Sequence, residues 1–155
     1  MSFRGLNFSE QLVNPEDDGR LYEAIFTDGI LSGCAITAVG YTLTIAPGHL
    51  MIAGRQIKVN AAQNHAMNGA AEGFGRVVLT IDLSGAATES SFSQVSSAVE
   101  YALSTDGFPA LIQGDINGDK DKVYQIVLAV CSLSPNGITQ IISSIPNADF
   151  KEGNS

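Results

Sequence analysis

Between Tyr41 and Val59 the chain reads YTLTIAPGHLMIAGRQIKV, with Tyr41, Leu43 and Ile45 alternating with Thr42 and Thr44. That is the period of a strand with one buried face. Pro47-Gly48 joins a fixed φ to a residue tolerant of φ > 0, which predicts a tight turn. Gly54 interrupts the next run before Ile57 and Val59 alternate with Gln56 and Lys58. Three short strands joined by two turns are expected here.

Upstream, NPEDDGRLYEAIF predicts a helix: Asn14 can cap it, Pro15 suits its first position, and Glu16, Asp17 and Asp18 sit at the positive end of its dipole. Leu21, Ala24 and Ile25 form one apolar stripe, expected to dock on the sheet or on a neighbouring chain. ILSGCAITAVG and YTLTIA predict strands around a turn at Val39-Gly40. Asn60 to Gly75 has no periodicity and is rich in Asn, Ala and Gly, so a long surface loop is expected. RVVLTIDLS, KVYQIVLAVCSL and GITQIISSI predict strands. In SFSQVSSAVEYALS, Phe92, Val95, Val99 and Ala102 fit a helical stripe, whereas Val95, Val99 and Tyr101 fit a strand face. Strand is the preferred reading. The expected architecture is mainly β, an antiparallel β-sandwich with a short N-terminal α-helix. It has an arm over 1–13, one domain over 14–148 and a flexible tail over 149–155.

Hydrophobic residues make up 45% of the 155 residues and charged residues 15%, so the surface relies on uncharged polar groups and keeps copies apart poorly. The net charge of −8 opposes binding to a phosphate backbone. No apolar run is long enough to span a bilayer or to form a signal peptide, so synthesis in the cytosol without membrane insertion is expected. Cys34 and Cys131 each lie in an apolar run, which favours buried thiols over a disulfide.

Chemistry is sparse. His49 and His65 belong to no metal spacing, and neither G-x-S-x-G nor G-x-x-x-x-G-K occurs. In GDINGDKDK, Asp115, Asn117, Asp119 and Asp121 alternate as oxygen ligands do in a calcium loop. Lys120 stands where that loop needs glycine and Ile126 where it needs a closing glutamate, so a solvated turn around Asn117-Gly118 is preferred. No catalytic, cofactor-binding or metal-binding residue is assigned, and no enzymatic activity is expected.

The segments YEAIFTDGIL, YTLTIAPGHLMIAGRQI, RVVLTIDLS, SSAVEYALSTDGFPALIQGD and VYQIVLAVCSLSPNGIT follow in this order, within a stretch of roughly Asn14 to Ile142. This stretch resembles the N-terminal domain of tail-fibre and baseplate structural proteins from siphophages and prophages of Gram-positive bacteria. The resemblance implies a non-enzymatic component of the virion tail, made in the host cytoplasm, that contacts other tail or baseplate proteins. It also implies a homo-oligomer, with a trimer favoured. Longer members finish the domain with a Thr-Asp-x-Arg element where this chain has IISSIPNADF, which points to an adaptor or compact baseplate component. The alternative is a carbohydrate-binding β-sandwich module, with Tyr22, Tyr41, Tyr101 and Tyr124 as the amphipathic rings.

Overall fold

A computed structural model of the chain describes residues 14–68, 73–88, 90–118 and 120–151; the expected N-terminal arm lies outside them. Helix α1 (Pro15–Ile25) begins where expected, with the Asn14 side chain accepting from the Glu16 amide at 2.8 Å and Pro15 opening the first turn. It ends at Phe26, whose extended backbone still donates to the Tyr22 carbonyl.

The predicted strand ILSGCAITAVG is divided in two, while YTLTIA stays one strand. Strands β1 (Gly29–Gly33) and β2 (Ile36–Val39) run antiparallel to β4 (Gly48–Ile52) and β3 (Thr42–Ile45), respectively, as one long hairpin with its tip at Gly40 and Tyr41. Halfway along, Gly33 and Cys34 take positive φ (61° and 56°) and the ribbon bends from one sheet into another. Hydrogen bonds from the Cys34 amide to Pro47 O (3.1 Å) and from the Ala46 amide to Ala35 O (2.9 Å) carry the pairing through the bend. Pro47-Gly48 is therefore a corner of the ribbon and not the tight turn its sequence predicts. The tight turn lies at Ala53 and Gly54, both at positive φ (50° and 73°), the backbone of a two-residue hairpin that matches strand twist. It leads into β5 (Arg55–Val59), paired with β4.

The expected loop over 60–75 contains a strand. β6 (Gln63–Ala66) pairs with β3, setting Leu43 opposite His65, although its sequence QNHA has no apolar alternation. Pairing to a neighbour that is already placed overrides local propensity at such a position. Strands β7 (Gly73–Asp82), β8 (Val95–Ala102), β9 (Val123–Ser134) and β10 (Gly137–Ser144) form a four-stranded sheet in the order β10-β9-β7-β8. Residues 95–102 are thus strand, as preferred, with Val95 and Val99 against the core.

Two three-stranded sheets, β1-β4-β5 and β2-β3-β6, complete an antiparallel β-sandwich with one short N-terminal helix. The core joins Leu43, Ile45, Leu50 and Ile52 of the bent ribbon to Val77, Leu79, Ile81, Leu128 and Cys131 of the four-stranded sheet. Leu43, Leu50 and Ile52 are at most 1% exposed, so each contributes about 1.5–3 kcal/mol by burial. Cys34 and Cys131 are buried free thiols.

Two further expectations meet a different geometry. The stripe of Leu21, Ala24 and Ile25 faces solvent, with Leu21 52% exposed, and α1 instead docks through its buried Gly19. The tail expected from residue 149 is held as far as Lys151. Asp149 O accepts from the Thr27 amide, the Lys151 amide donates to Ile25 O, and Phe150 stacks on Phe26 at 5.2 Å. Residues 152–155 lie outside the described residues.

Candidate functional site

The acidic turn after Gly114 is built into the fold. Asn117 is 5% exposed, and its carboxamide makes three hydrogen bonds. Oδ1 accepts from Arg55 Nε at 3.0 Å, while Nδ2 donates to Glu23 Oε2 at 2.7 Å and to Ala53 O at 2.8 Å. The side chain thereby ties α1, the β4–β5 turn and the acidic turn together. Arg20 adds bonds to Asp115 Oδ2 (3.0 Å) and Asn117 O (2.8 Å). Its guanidinium holds the Asp115 carboxyl below the usual carboxylate range.

The oxygens that resembled calcium ligands are engaged elsewhere. Asp115 Oδ1 accepts from the Asn117 amide and Asp121 Oδ2 from the Asp115 amide. Asp119 lies outside the described residues, among which no group of His, Cys, Asp and Glu is placed to hold a metal.

Beside this turn, Glu23, Asp28, Asp115, Tyr124 and Lys151 line a cleft of about 430 Å³. Asp28 serves the fold there: Oδ1 accepts from the Ala53 amide and Oδ2 from the Tyr124 hydroxyl, both at 2.7 Å. Burial, then the Asp28 bond, pushes the Tyr124 hydroxyl far above its ordinary pKa, so it stays a neutral donor.

A larger cleft of about 540 Å³ opens between β5 and β6 on one side and the start of β8 on the other. Its floor is apolar, with Ile45, Leu79, Ile81 and Leu128, and its rim carries Gln56, Lys58, Asn60 and Phe92. Phe92 is 62% exposed. Sequence reasoning weighed this ring only as part of a helical stripe; its position just before a strand is the signal that places it at a rim.

His65 lines the same cleft, with Nε2 2.7 Å from Ser97 Oγ across the two sheets. Its Nδ1 is buried without a hydrogen-bond partner. Burial lowers its pKa against the opposing pull of the Leu43 and Gln63 carbonyls, which keeps the ring neutral near pH 7. His49 sits on β4 in another sheet, beside Ser32 Oγ at 3.0 Å. Neither thiol approaches a nucleophile's pKa, because burial pushes both Cys34 and Cys131 up.

The four tyrosines do not converge. The Tyr41 hydroxyl donates to Ser134 O, the Tyr101 hydroxyl accepts from the Asn68 amide, Tyr124 binds Asp28, and Tyr22 lies on the outer face of α1. On the opposite face of the four-stranded sheet, Arg76 is 8% exposed and pairs with Glu100 at 2.7 Å. It also lies 4.6 Å from the centre of the Phe108 ring, fixing the segment after β8.

Two classes of surface emerge: an apolar cleft with a polar rim, and a helix anchored by its backbone face with its apolar side chains outward. Among the described residues no helix is long and apolar enough to cross a membrane. No protein-family model matches the chain, and no curated protein sequence matches it significantly.

Proposed function

We propose that the chain is a non-enzymatic phage or prophage tail or baseplate component, acting in the virion as a homo-oligomer through contacts with itself and other tail proteins. The observation that carries this is the orientation of α1. Gly19 seats the helix on the fold while Leu21 and Tyr22, 52% and 43% exposed, face outward. Apolar side chains held out on a fixed helix are a surface for another protein. The ordered resemblance from Asn14 to Ile142 supplies the biological setting. Gold-labelled antibody against the chain, applied to purified particles from a producing strain, is expected to decorate tails. Particles free of label and of its peptides by mass spectrometry would overturn the reading.

The cleft of about 540 Å³ favours a second reading, a carbohydrate-binding module. The exposed Phe92 ring offers a stacking face beside the Gln56 and Asn60 side chains. Saturable binding of cell-wall polysaccharide by the isolated chain, lost in Phe92→Ala, would establish that reading.

A further inference from the structure

The sandwich has six strands at sheet edges, and five of them carry a feature that discourages pairing with another chain. β1 is interrupted by a register shift after Ile30 and is covered by a bridge to Asn147. β2 and β6 are four residues long. β5 carries Arg55 and Lys58, and β10 has two register shifts within eight residues. Short, charged, covered or bulged edges resist strand addition.

β8 has none of these features. It runs for eight residues, pairs with β7 without a register shift, and contains no Lys, Arg or Pro. Its one charge, Glu100, is neutralised by Arg76 at 2.7 Å. Ser96, Ser97 and Ala98 are exposed. Among the described residues, the backbone of 95–102 has no hydrogen bond beyond those to β7.

We infer that the free edge of β8 pairs antiparallel with β8 of a second copy of this chain, joining two four-stranded sheets into one. The charge pattern of the strand points to a second copy as the occupant. A two-fold axis at Ala98 places each residue i opposite residue 196 − i, so that no residue of one β8 falls opposite a charge of its own sign on the other. The contact is isologous, as a closed dimer requires. The same register sets Ser97 opposite Val99 and Ser96 opposite Glu100, keeping residues that share a sheet face together. It also keeps the two Glu100 side chains apart. In a chain of net charge −8, this edge lets two copies meet without facing like charges.

The pairing narrows the assembly reading to one contact and rests on that reading only for its biological setting. Being two-fold, it differs from the three-fold order that the resemblance implies. Light scattering after size exclusion is expected to give twice the 16.2 kDa chain mass, rising from monomer with concentration. Ala98→Lys places two ammonium groups face to face at the axis, and is expected to elute as a monomer with unchanged circular dichroism and melting. Mixing it with Ala98→Glu is expected to restore the double mass. A wild-type monomer in the most concentrated sample, a trimer, a dimer that survives Ala98→Lys, or no recovery on mixing would each overturn the inference. Gold labelling of tails is independent of all four outcomes, so the assembly reading and this contact fail separately.

Discussion

Gly54 of the β4–β5 turn lies against the carbonyl of Gly19 in α1, so helix and turn meet backbone to backbone with no side chain between them. A Cβ on Gly54 would overlap Gly19 O, and its φ of 73° disfavours any other residue. A Cβ on Gly19 would overlap the Asn117 carboxamide. Gly54→Ala is expected to lower unfolding free energy by about 2 kcal/mol or more, from strain and lost docking together. Gly19→Ala raises helix propensity by roughly 1 kcal/mol, yet is expected to destabilise because the buried amide must move. Urea midpoints decide both. A more stable Gly19→Ala protein would show that α1 does not dock through this face.

Asn117 makes the sharper test of the same junction. Asn117→Asp keeps the shape, removes the donor to Glu23 and Ala53 O, and sets a second carboxylate beside Glu23. A loss of about 2–4 kcal/mol is expected, against about 1–3 kcal/mol for Asn117→Ala. Equal stability of the aspartate variant and the wild type would mean that the junction is open to water.

How much of this was legible in the sequence depends on the distance over which each determinant acts. The cap at Asn14, the alternation in β3 and the β-branched richness of β7 follow from neighbours within a few residues, and the sequence carries them; for β8 it offers a helical stripe and a strand face together, and pairing with β7 decides. The bend at Gly33-Cys34 does not. ILSGCAITAVG is continuous in composition, and only pairing with a partner strand that turns at Pro47 reveals the corner. β6 is strand because β3 offers an edge to QNHA. The helix misled most: its apolar stripe satisfies a moment argument, but a backbone contact at Gly19 set its orientation. Asn117 stood out for its oxygen, whereas its role is to bridge segments 94 and 64 residues away.

That orientation changes what Leu21→Asp should do. With Leu21 52% exposed, the substitution is expected to leave unfolding free energy within about 0.5 kcal/mol. Under the proposed function its effect belongs to assembly, and binding to a partner protein is the property it should weaken. A large drop in melting temperature of the monomer would place Leu21 in a buried contact.

Calcium is expected to bind no more tightly than millimolar at the acidic turn. Asp115 is committed to Arg20 and the Asn117 amide, Asp121 to the Asp115 amide, and the Asn117 oxygen to Arg55. A calcium ion needs six or more oxygens and would have to displace these donors. Micromolar affinity in calorimetry, lost in Asp121→Ala, would contradict this.

His65 gives the fold an acid sensitivity whose direction is fixed by burial. Because its pKa is lowered in the folded chain, the unfolded chain binds the proton more tightly. Unfolding therefore gains from every proton taken up between the folded pKa and the ordinary value near 6.5. Stability should be fully present above about pH 6.5 and decline as the pH falls below it. The Ser97 hydroxyl can serve Nε2 as donor or acceptor, so the proton leaves that contact in place and its cost is the charge brought into a buried site. His65→Gln carries no such proton and should show a flatter melting-temperature profile between pH 7 and 5, though with a lower plateau. Parallel acid-side declines in the variant and the wild type would assign the sensitivity to other groups.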